Sequence, residues 1–255
     1  MQIEDYEYLY ELEDRFWWFE GMRAITAAVL NQYCPAQRDR TILDAGCGTG
    51  VNLIWLKGYA GNDEVYGIDL SLHALQFCRQ RGLQRLARAS VTDLPFDDSS
   101  FDLITSFDVL VQLPTGGADE QAMREMYRVL KPGGIGFVRV AAYEWLRSGH
   151  DKALGTQKRY RLSELSFQLE RTGFTVLRAT YANSFLLPLA AFRRLVLKRA
   201  RLADSGSDVK SLPRWLSPLN TTMTRILQAE AVWLGKKHYL PAGVSAICVV
   251  SKPAR

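Results

Sequence analysis

The sequence predicts an α/β fold in which a mostly parallel sheet of seven strands carries helices on both faces. Three observations predict it. Short apolar runs alternate with helical patterns between residues 41 and 142, as in strands joined by crossover helices. A Lys-Pro-Gly-Gly stretch at 131–134 ends one of these helices before the next strand. Two later runs, at 174–181 and 244–251, read as strands and bring the count to seven.

The elements follow one another in chain order. An amphipathic helix is predicted around residues 22–33. Strands are predicted at TILDA, VYGID, LARAS, FDLITSF, GIGFVRVAA, FTVLRATY and VSAICVVS, with helices after the first, second and fourth. The helix at 119–130 is marked by the Pro and Gly residues behind it. Two segments interrupt the rhythm, at 143–161 and 186–240, and insertions of this kind usually build the substrate side of an open α/β sheet.

The composition is that of an ordinary globular chain. Its 255 residues are 47% hydrophobic and 23% charged, which allows one large core. The N-terminus is acidic and no apolar run reaches the roughly 20 residues of a membrane span, so we expect neither a signal peptide nor a transmembrane helix. Four cysteines lie far apart beside only three histidines. We therefore expect no disulfide framework and no metal site, in a cytoplasmic protein.

The charge of the chain is asymmetric. Residues 186–255 carry 12 Lys and Arg against 3 Asp and Glu, whereas residues 1–185 carry 20 against 24. Within 186–201 an apolar run is followed by five basic residues: Arg193, Arg194, Lys198, Arg199 and Arg201. A solvated helix face is the first interpretation. Peripheral contact with an anionic membrane, or contact with another subunit, is the alternative.

The sequence TILDAGCGTG at 41–50 predicts a bend that binds a ligand. Gly46, Gly48 and Gly50 permit positive φ and close approach to the backbone, and the helix that follows offers free N–H groups. A dinucleotide fingerprint would need a third glycine at position 51, where Val51 stands. Asp44, directly before the bend, favours a cationic ligand over a pyrophosphate.

Acids at the ends of the next two strands suggest what the ligand is. Asp69, at the end of the second strand, can accept hydrogen bonds from both hydroxyls of a ribose. Asp93 follows the third strand, where its carboxylate can accept from an adenine amino group while Leu70 and Leu94 cover the ring. These positions describe an adenosine with a positively charged, amino-acid-like tail.

These residues resemble the class I S-adenosylmethionine-dependent methyltransferases, in particular the small-molecule type of bacteria. The resemblance covers residues 40–140 through ILDAGCGTG, VYGIDLS, VTDLPF, FDLITSFDVL and EMYRVLKPGG, in that order. It implies a Rossmann-like sheet whose last strand is antiparallel, with S-adenosylmethionine as cofactor and S-adenosylhomocysteine as product. The chain then forms a single methyltransferase domain, 1–255, composed of a helical cap (1–38), a cofactor-binding core (39–142), an active-site loop (143–161) and a helical lid insertion between the last two strands (186–240).

The resemblance also implies which residues bind the cofactor. Asp44, Gly46 and Gly48 lie along its methionine part, and Phe107 with Asp108 borders the sulfonium. The N-terminal segment RFWWFEGMR is similar to one that closes over the cofactor in bacterial relatives, with Arg23 on the methionine carboxylate and Trp18 as a cover. The expected cofactor-binding set is Trp18, Arg23, Asp44, Gly46, Cys47, Gly48, Asn52, Asp69, Leu70, Thr92, Asp93, Leu94, Phe107 and Asp108.

The acceptor is expected to meet the segment 143–160. This segment resembles an acceptor-lining loop of many bacterial methyltransferases, which implies catalytic roles for His150, Asp151, Arg159 and Tyr160. His150 is the candidate general base, with a carboxylate to orient it. The alternative is a histidine that only holds the loop in place.

The leading hypothesis is therefore methyl transfer to a small-molecule acceptor, apolar or amphipathic, at oxygen or nitrogen, with carbon as a further alternative. A non-catalytic S-adenosylmethionine-binding or partner-docking protein is a second reading. A nicotinamide-dependent oxidoreductase is a third, which Val51 and Asp93 disfavour. No nucleic-acid partner is expected, because FDVLVQLP stands where a base-methylation signature would follow the fourth strand. The oligomeric state is left open.

Overall fold

The computed structural model describes residues 3–36, 39–61, 64–192 and 217–254. Its strands form one sheet and are β1 (Ile42–Ala45), β2 (Val65–Asp69), β3 (Leu86–Arg88), β4 (Phe101–Phe107), β5 (Leu130–Ala141), β6 (Thr175–Ala182) and β7 (Ser245–Ser251). The helices are α1 (Ile3–Leu12), α2 (Trp17–Leu30), α3 (Val51–Ala60), α4 (Leu72–Gln80), α5 (Ala118–Val129), α6 (Gly149–Ala153), α7 (Leu162–Arg171) and α8 (Ser217–Gly235). A further helical segment covers residues 187–192.

The strand order is β3-β2-β1-β4-β5-β7-β6. Strands β1 to β5 pair in parallel, whereas β7 is antiparallel to both β5 and β6. The predicted α/β fold, with seven strands and an antiparallel last strand, is confirmed. Because the chain moves outward from β1 in one direction and then returns to place β4 on its other side, a crevice opens at the carboxyl ends of β1 and β4.

Two predicted element boundaries differ from the structure. The first predicted helix, at 22–33, is α2 and begins at Trp17, with α1 before it. The Lys-Pro-Gly-Gly stretch ends the helix as predicted but belongs to β5, which begins at Leu130. The strand continues there because the N–H of Gly133 donates to the carbonyl of Lys252 at 2.8 Å, and the register of β5 against β4 shifts at this irregular end.

The second half of the predicted lid insertion is a core helix. Helix α8 packs along α2 and buries Leu227, Ala231 and Leu234. The helices approach closely at Gly21, where a Cβ atom would lie 2.3 Å from Leu227 Cδ1. The basic positions 193–201 lie outside the described residues, so the predicted membrane or subunit contact there stays a prediction.

No helix in the described part of the chain is both long enough and apolar enough to cross a membrane.

Candidate functional site

A cavity of about 1250 Å³ lies at the carboxyl ends of the central strands. The turn after β1, the end of β2 and the turn after β3 form one part of its wall. The ends of β4, β5 and β6 with the start of β7 form another, and α1, α2, α8 and the 187–192 segment contribute to its wall. The cavity therefore occupies the crevice that the strand order creates.

The glycine turn forms part of this wall, and two of its glycines have different roles there. Gly46, Gly48 and Gly50 have φ of 92°, 54° and 92°, in the left-handed region. A Cβ atom on Gly46 would lie 2.3 Å from Val109 Cγ2, so this glycine is needed for packing. A Cβ atom on Gly48 would meet nothing within 4 Å, so this glycine leaves open space on the cavity side. Cys47 and Asn52 also line the cavity.

Asp69 connects the end of β2 to the glycine turn. Its Oδ2 accepts from the N–H of Gly48 at 3.0 Å, and its Oδ1 accepts from the N–H of Ser71 at 2.9 Å. Burial raises the pKa of the Asp69 carboxyl, while these backbone hydrogen bonds act against that shift. Each carboxylate oxygen keeps a second lone pair, and Asp69 and Leu70 both line the cavity. Their predicted role toward a ribose is compatible with this position.

Asp44, expected along the methionine part of the cofactor, is fully buried beneath the turn, near the end of β1, and does not itself line the cavity. Its Oδ1 accepts from the Thr105 hydroxyl at 2.7 Å, and its Oδ2 has no partner among the described residues. Burial raises the pKa of Asp44 from 3.8 to about 7, against the opposing influence of the Thr105 hydrogen bond and the charge of Arg139. A carboxyl group with a free oxygen and such a pKa gains from a nearby cation.

Two residues expected at the adenine are not part of the cavity wall. Leu94 is buried in the core at 3% exposure, and Asp93 is exposed to solvent. The reason is the tight turn after β3, where Ser90 and Asp93 form an isolated bridge that directs the following residues away from the cavity. Thr92 lines the cavity as expected, together with Ser90 and Val91.

The N-terminal cap contacts the glycine turn through residues that the sequence analysis missed. Glu13, buried after α1, accepts a hydrogen bond from the Thr49 hydroxyl and pairs with Arg81 at 2.8 Å. Arg81 Nε also donates to the carbonyl of Thr49 at 3.1 Å. Trp18 and Arg23 both line the cavity, and Arg23 Nη1 donates to the backbone carbonyl of Glu13 at 2.9 Å. Only the RFWWFEGMR segment gave a sequence signal for this contact.

At the end of β4, Phe107 and Asp108 line the cavity beside a second residue that was missed, Arg139 of β5. Arg139 pairs with Asp108 at 2.7 Å, and its Cζ atom lies 5.1 Å from the ring centroids of both Trp18 and Phe107. An arginine within the apolar run GIGFVRVAA was the available signal. Asp108 has a left-handed φ of 59°, uncommon for a residue with a side chain.

The loop after β5 brings only some of the predicted catalytic residues to the cavity. Asp151 and Arg159 line it and form a buried ion pair at 2.7 Å. Tyr160 does not line it: this side chain is fully buried and donates to Asp119 Oδ2 at 2.8 Å. Arg159 and Tyr160 are consecutive in an extended segment, so their side chains point to opposite sides. The side chain of His150 lies outside the described residues.

The central part of the fold matches a known protein family. The methyltransferase domain family matches residues 43–138, from β1 to β5. Residues 43–138 therefore form a methyltransferase domain of this family.

Individual relatives resemble this methyltransferase domain over part of their length. A demethylmenaquinone methyltransferase of Lactiplantibacillus plantarum is 40% identical over 100 residues, 36% of this chain and 41% of the relative. Among solved structures, the [4+2]-cyclase SpnF has a TM-score of 0.58 at 22% identity, over 91% of this chain and 81% of that one. Geranyl diphosphate methyltransferase in complex with S-adenosylmethionine has a TM-score of 0.57 at 13% identity, over 91% and 85%. The two structures share the fold.

The match spans half or less of the curated relatives' own length. Most of the apolar cavity wall lies outside residues 43–138.

Apolar side chains form much of the cavity wall. Among them are Trp17, Val109, Leu113, Leu154, Leu186, Leu189, Leu219 and Met223. Asn183, after β6, is a polar exception that the sequence analysis missed: it is 3% exposed, has a φ of 60°, and its Oδ1 has no partner among the described residues.

Glu230 of α8 holds the turn after β6 in position. Its carboxylate accepts from the backbone N–H groups of Asn183, Ser184 and Phe185, with distances of 2.7 Å to Ser184 and 3.2 Å to Phe185. The carboxylate thereby fixes the turn that carries Asn183 at the cavity.

Proposed function

We propose that this chain transfers a methyl group from S-adenosylmethionine to a small apolar or amphipathic acceptor. The observation that carries the proposal is the single cavity, which is lined both by the glycine turn with Asp69 and by apolar side chains from the insertions. A donor and an acceptor held in one enclosed space react as if in one molecule, which supplies much of the rate acceleration of a displacement.

The residues present fit S-adenosylmethionine. Gly48 leaves open space in the wall, Asp69 can accept hydrogen bonds from a ribose diol, and Asp44 has a buried carboxylate oxygen without a partner. Acids on both sides of the glycine turn favour a cation over a pyrophosphate. When bound, the cofactor supplies an electrophilic methyl group on a positively charged sulfur.

The chain's own residues then position the acceptor and exclude water. Trp18 and Phe107 lie beside Arg139, the partner of Asp108, and residues of α2 and α8 line the same cavity. For an acceptor that must lose a proton, His150 is the proposed base. Asp151 is engaged by Arg159 and by the N–H of Ser148 at 2.7 Å, which supports a role in shaping the loop.

The apolar wall and two of the names above support an apolar acceptor. These two enzymes are named for demethylmenaquinone and geranyl diphosphate, and both compounds are amphipathic. Oxygen or nitrogen is the proposed methylation site. Docking of the chain's basic segment at 186–201 on an anionic membrane or a second subunit is part of the same proposal.

A transfer assay tests this function. The protein is incubated with methyl-labelled S-adenosylmethionine and a panel of apolar phenols, quinols, carboxylic acids and amines, and label is extracted into an organic phase. We expect wild type to label at least one class and Asp69→Ala to label none. Binding of S-adenosylhomocysteine without label transfer to any class would instead favour the non-catalytic alternative.

A further inference from the structure

Arg139 places a buried cation in the wall of the cavity. It is 7% exposed, and its Nε and Nη2 atoms both donate to Asp108 Oδ2, at 2.9 and 2.7 Å. The guanidinium also lies over the rings of Trp18 and Phe107, which attract it through their π faces. Contacts with one carboxylate and two rings fix the position of the guanidinium.

The remaining terminal nitrogen of Arg139 is free to bind a ligand. Nη1 carries two of the five N–H donors of a guanidinium, and it has no hydrogen-bond partner among the described residues. Arg139 lines the cavity, so these two donors are accessible to a molecule within it. Only a hydrogen-bond acceptor satisfies them, and a carboxylate or phosphate can take one N–H of Nη1 together with the remaining N–H of Nη2, which runs parallel to it.

Stability alone does not explain the pair. Removing two charges from water costs about as much as their attraction returns, and apolar side chains often do as well in the same place. Asp108 moreover has a left-handed φ of 59°, which is strained for a residue with a Cβ atom. In ligand cavities, a few charged or polar groups placed among apolar side chains fix the orientation of the ligand.

We propose that Arg139 binds an oxyanionic group of the acceptor, a carboxylate or a phosphate on an apolar body, and thereby determines which acceptors the enzyme takes. The inference rests on the proposed methyl-transfer function and adds the charge of the acceptor to it. Asp108 neutralises Arg139, so an anion bound at Nη1 gives the site a net negative charge. That charge attracts a cationic cofactor in the same cavity.

Four decyl probes that differ only in the head group test this. Decanoate, decyl phosphate, decanol and decyltrimethylammonium are titrated into protein saturated with S-adenosylhomocysteine, and binding is followed by tryptophan fluorescence, since Trp17 and Trp18 line the cavity. We expect the carboxylate or the phosphate to bind at least about tenfold more tightly than the alcohol, and the ammonium to bind most weakly.

Variants assign that preference to one side chain. Arg139→Gln should bring the anionic probe to within about twofold of the alcohol while S-adenosylhomocysteine binds as in wild type. The double variant Asp108→Asn with Arg139→Gln leaves no unpaired buried charge, and should likewise lose the preference for the anionic probe in a stably folded protein. Arg124→Gln changes an exposed arginine of α5 outside the cavity and should keep the preference.

Two results would overturn the proposal. The first is equal or absent binding of anionic and neutral probes in wild type that still binds S-adenosylhomocysteine, which would leave the proposed function intact. The second is a preference retained in Arg139→Gln with S-adenosylhomocysteine affinity lost, which would assign Arg139 to the cofactor. Wild type that does not bind S-adenosylhomocysteine would contradict the proposed function itself.

Discussion

From the unpaired Oδ2 atom of Asp44 we predict how cofactor binding depends on pH. The carboxyl is fully buried, with a pKa of about 7, and Oδ2 has no partner among the described residues. A cationic ligand is attracted by the ionised carboxylate, so binding draws the group into its charged form and releases a proton. Affinity should therefore rise as the pH increases through 7.

The magnitude follows from the titration. Between pH 6 and pH 8 the ionised fraction of a group with a pKa of about 7 rises from about one-tenth to about nine-tenths. If only the ionised form attracts the ligand, the Kd for S-adenosylhomocysteine should fall about tenfold across this range. Thr105→Val removes the hydrogen bond that lowers the pKa of Asp44 and should move the midpoint upward.

Calorimetry at several pH values measures this, with two controls. Asp44→Asn should lose the dependence, because the ligand's own α-ammonium group, beside its free carboxylate, stays protonated across this range. 5′-Methylthioadenosine has no ammonium group and should bind wild type equally at both pH values. An unchanged Kd for S-adenosylhomocysteine between pH 6 and pH 8, or the same dependence in Asp44→Asn, would refute the reasoning.

Three further predictions concern the glycine turn, the cap and the loop. Gly48→Ala and Gly82→Ala both place a Cβ atom at positive φ in open space, so each variant should lose about 1–2 kcal/mol of stability. Only Gly48→Ala should weaken S-adenosylhomocysteine binding, by about tenfold in calorimetry. Equal binding by the two variants would argue against a ligand at the turn. Arg81→Met leaves Glu13 buried without its cation and should lower the free energy of unfolding by about 3 kcal/mol, measured with denaturant. Arg85→Met, at an exposed ion pair, should lower it by less than about 1 kcal/mol. Similar losses in the two variants would show that Arg81 does not hold the cap. At saturating cofactor, His150→Gln should slow methyl transfer and remove the pH dependence of turnover between about pH 5 and 8 without changing cofactor affinity. An unaltered pH profile of turnover would exclude the role as base.

Asp44 also affects the stability of the ligand-free protein. Because its folded-state pKa lies above the ordinary value of 3.8, its contribution to stability is complete below about pH 4 and is lost as the pH rises through about 7. Asp44→Asn should therefore raise the Tm of the free protein at pH 8 and leave it nearly unchanged at low pH. A lower Tm at pH 8 would contradict this.

The sequence predicted best what depends on neighbouring residues at strand ends. Gly46 and Gly48 follow β1, and Asp69 ends β2. Because parallel strands bring their carboxyl ends to one edge of the sheet, these residues were expected to lie close together without any knowledge of side-chain packing. The alternation of apolar runs and helical patterns predicted the number of strands, because it too depends on neighbouring residues. Roles assigned to Trp18, Arg23 and Asp108 remain predictions, at positions that line the cavity.

What the sequence missed depends on side-chain direction and distant contacts. Leu94 and Tyr160 stand next to cavity-directed segments, but a tight turn and the alternation of an extended segment point them into the core. Glu13 and Arg81 are separated by 68 residues, and no local pattern links them. Arg139 was visible as a charge within an apolar strand, yet its importance follows only from its pairing with Asp108 across β4 and β5.

Calorimetric titration with S-adenosylhomocysteine and with NAD tests most directly whether the acid-lined glycine turn binds a sulfur nucleoside. We expect one molecule of S-adenosylhomocysteine per chain at micromolar Kd, and no heat of binding with NAD. Binding of NAD alone would contradict the proposed cofactor and, with it, the proposed methyl transfer.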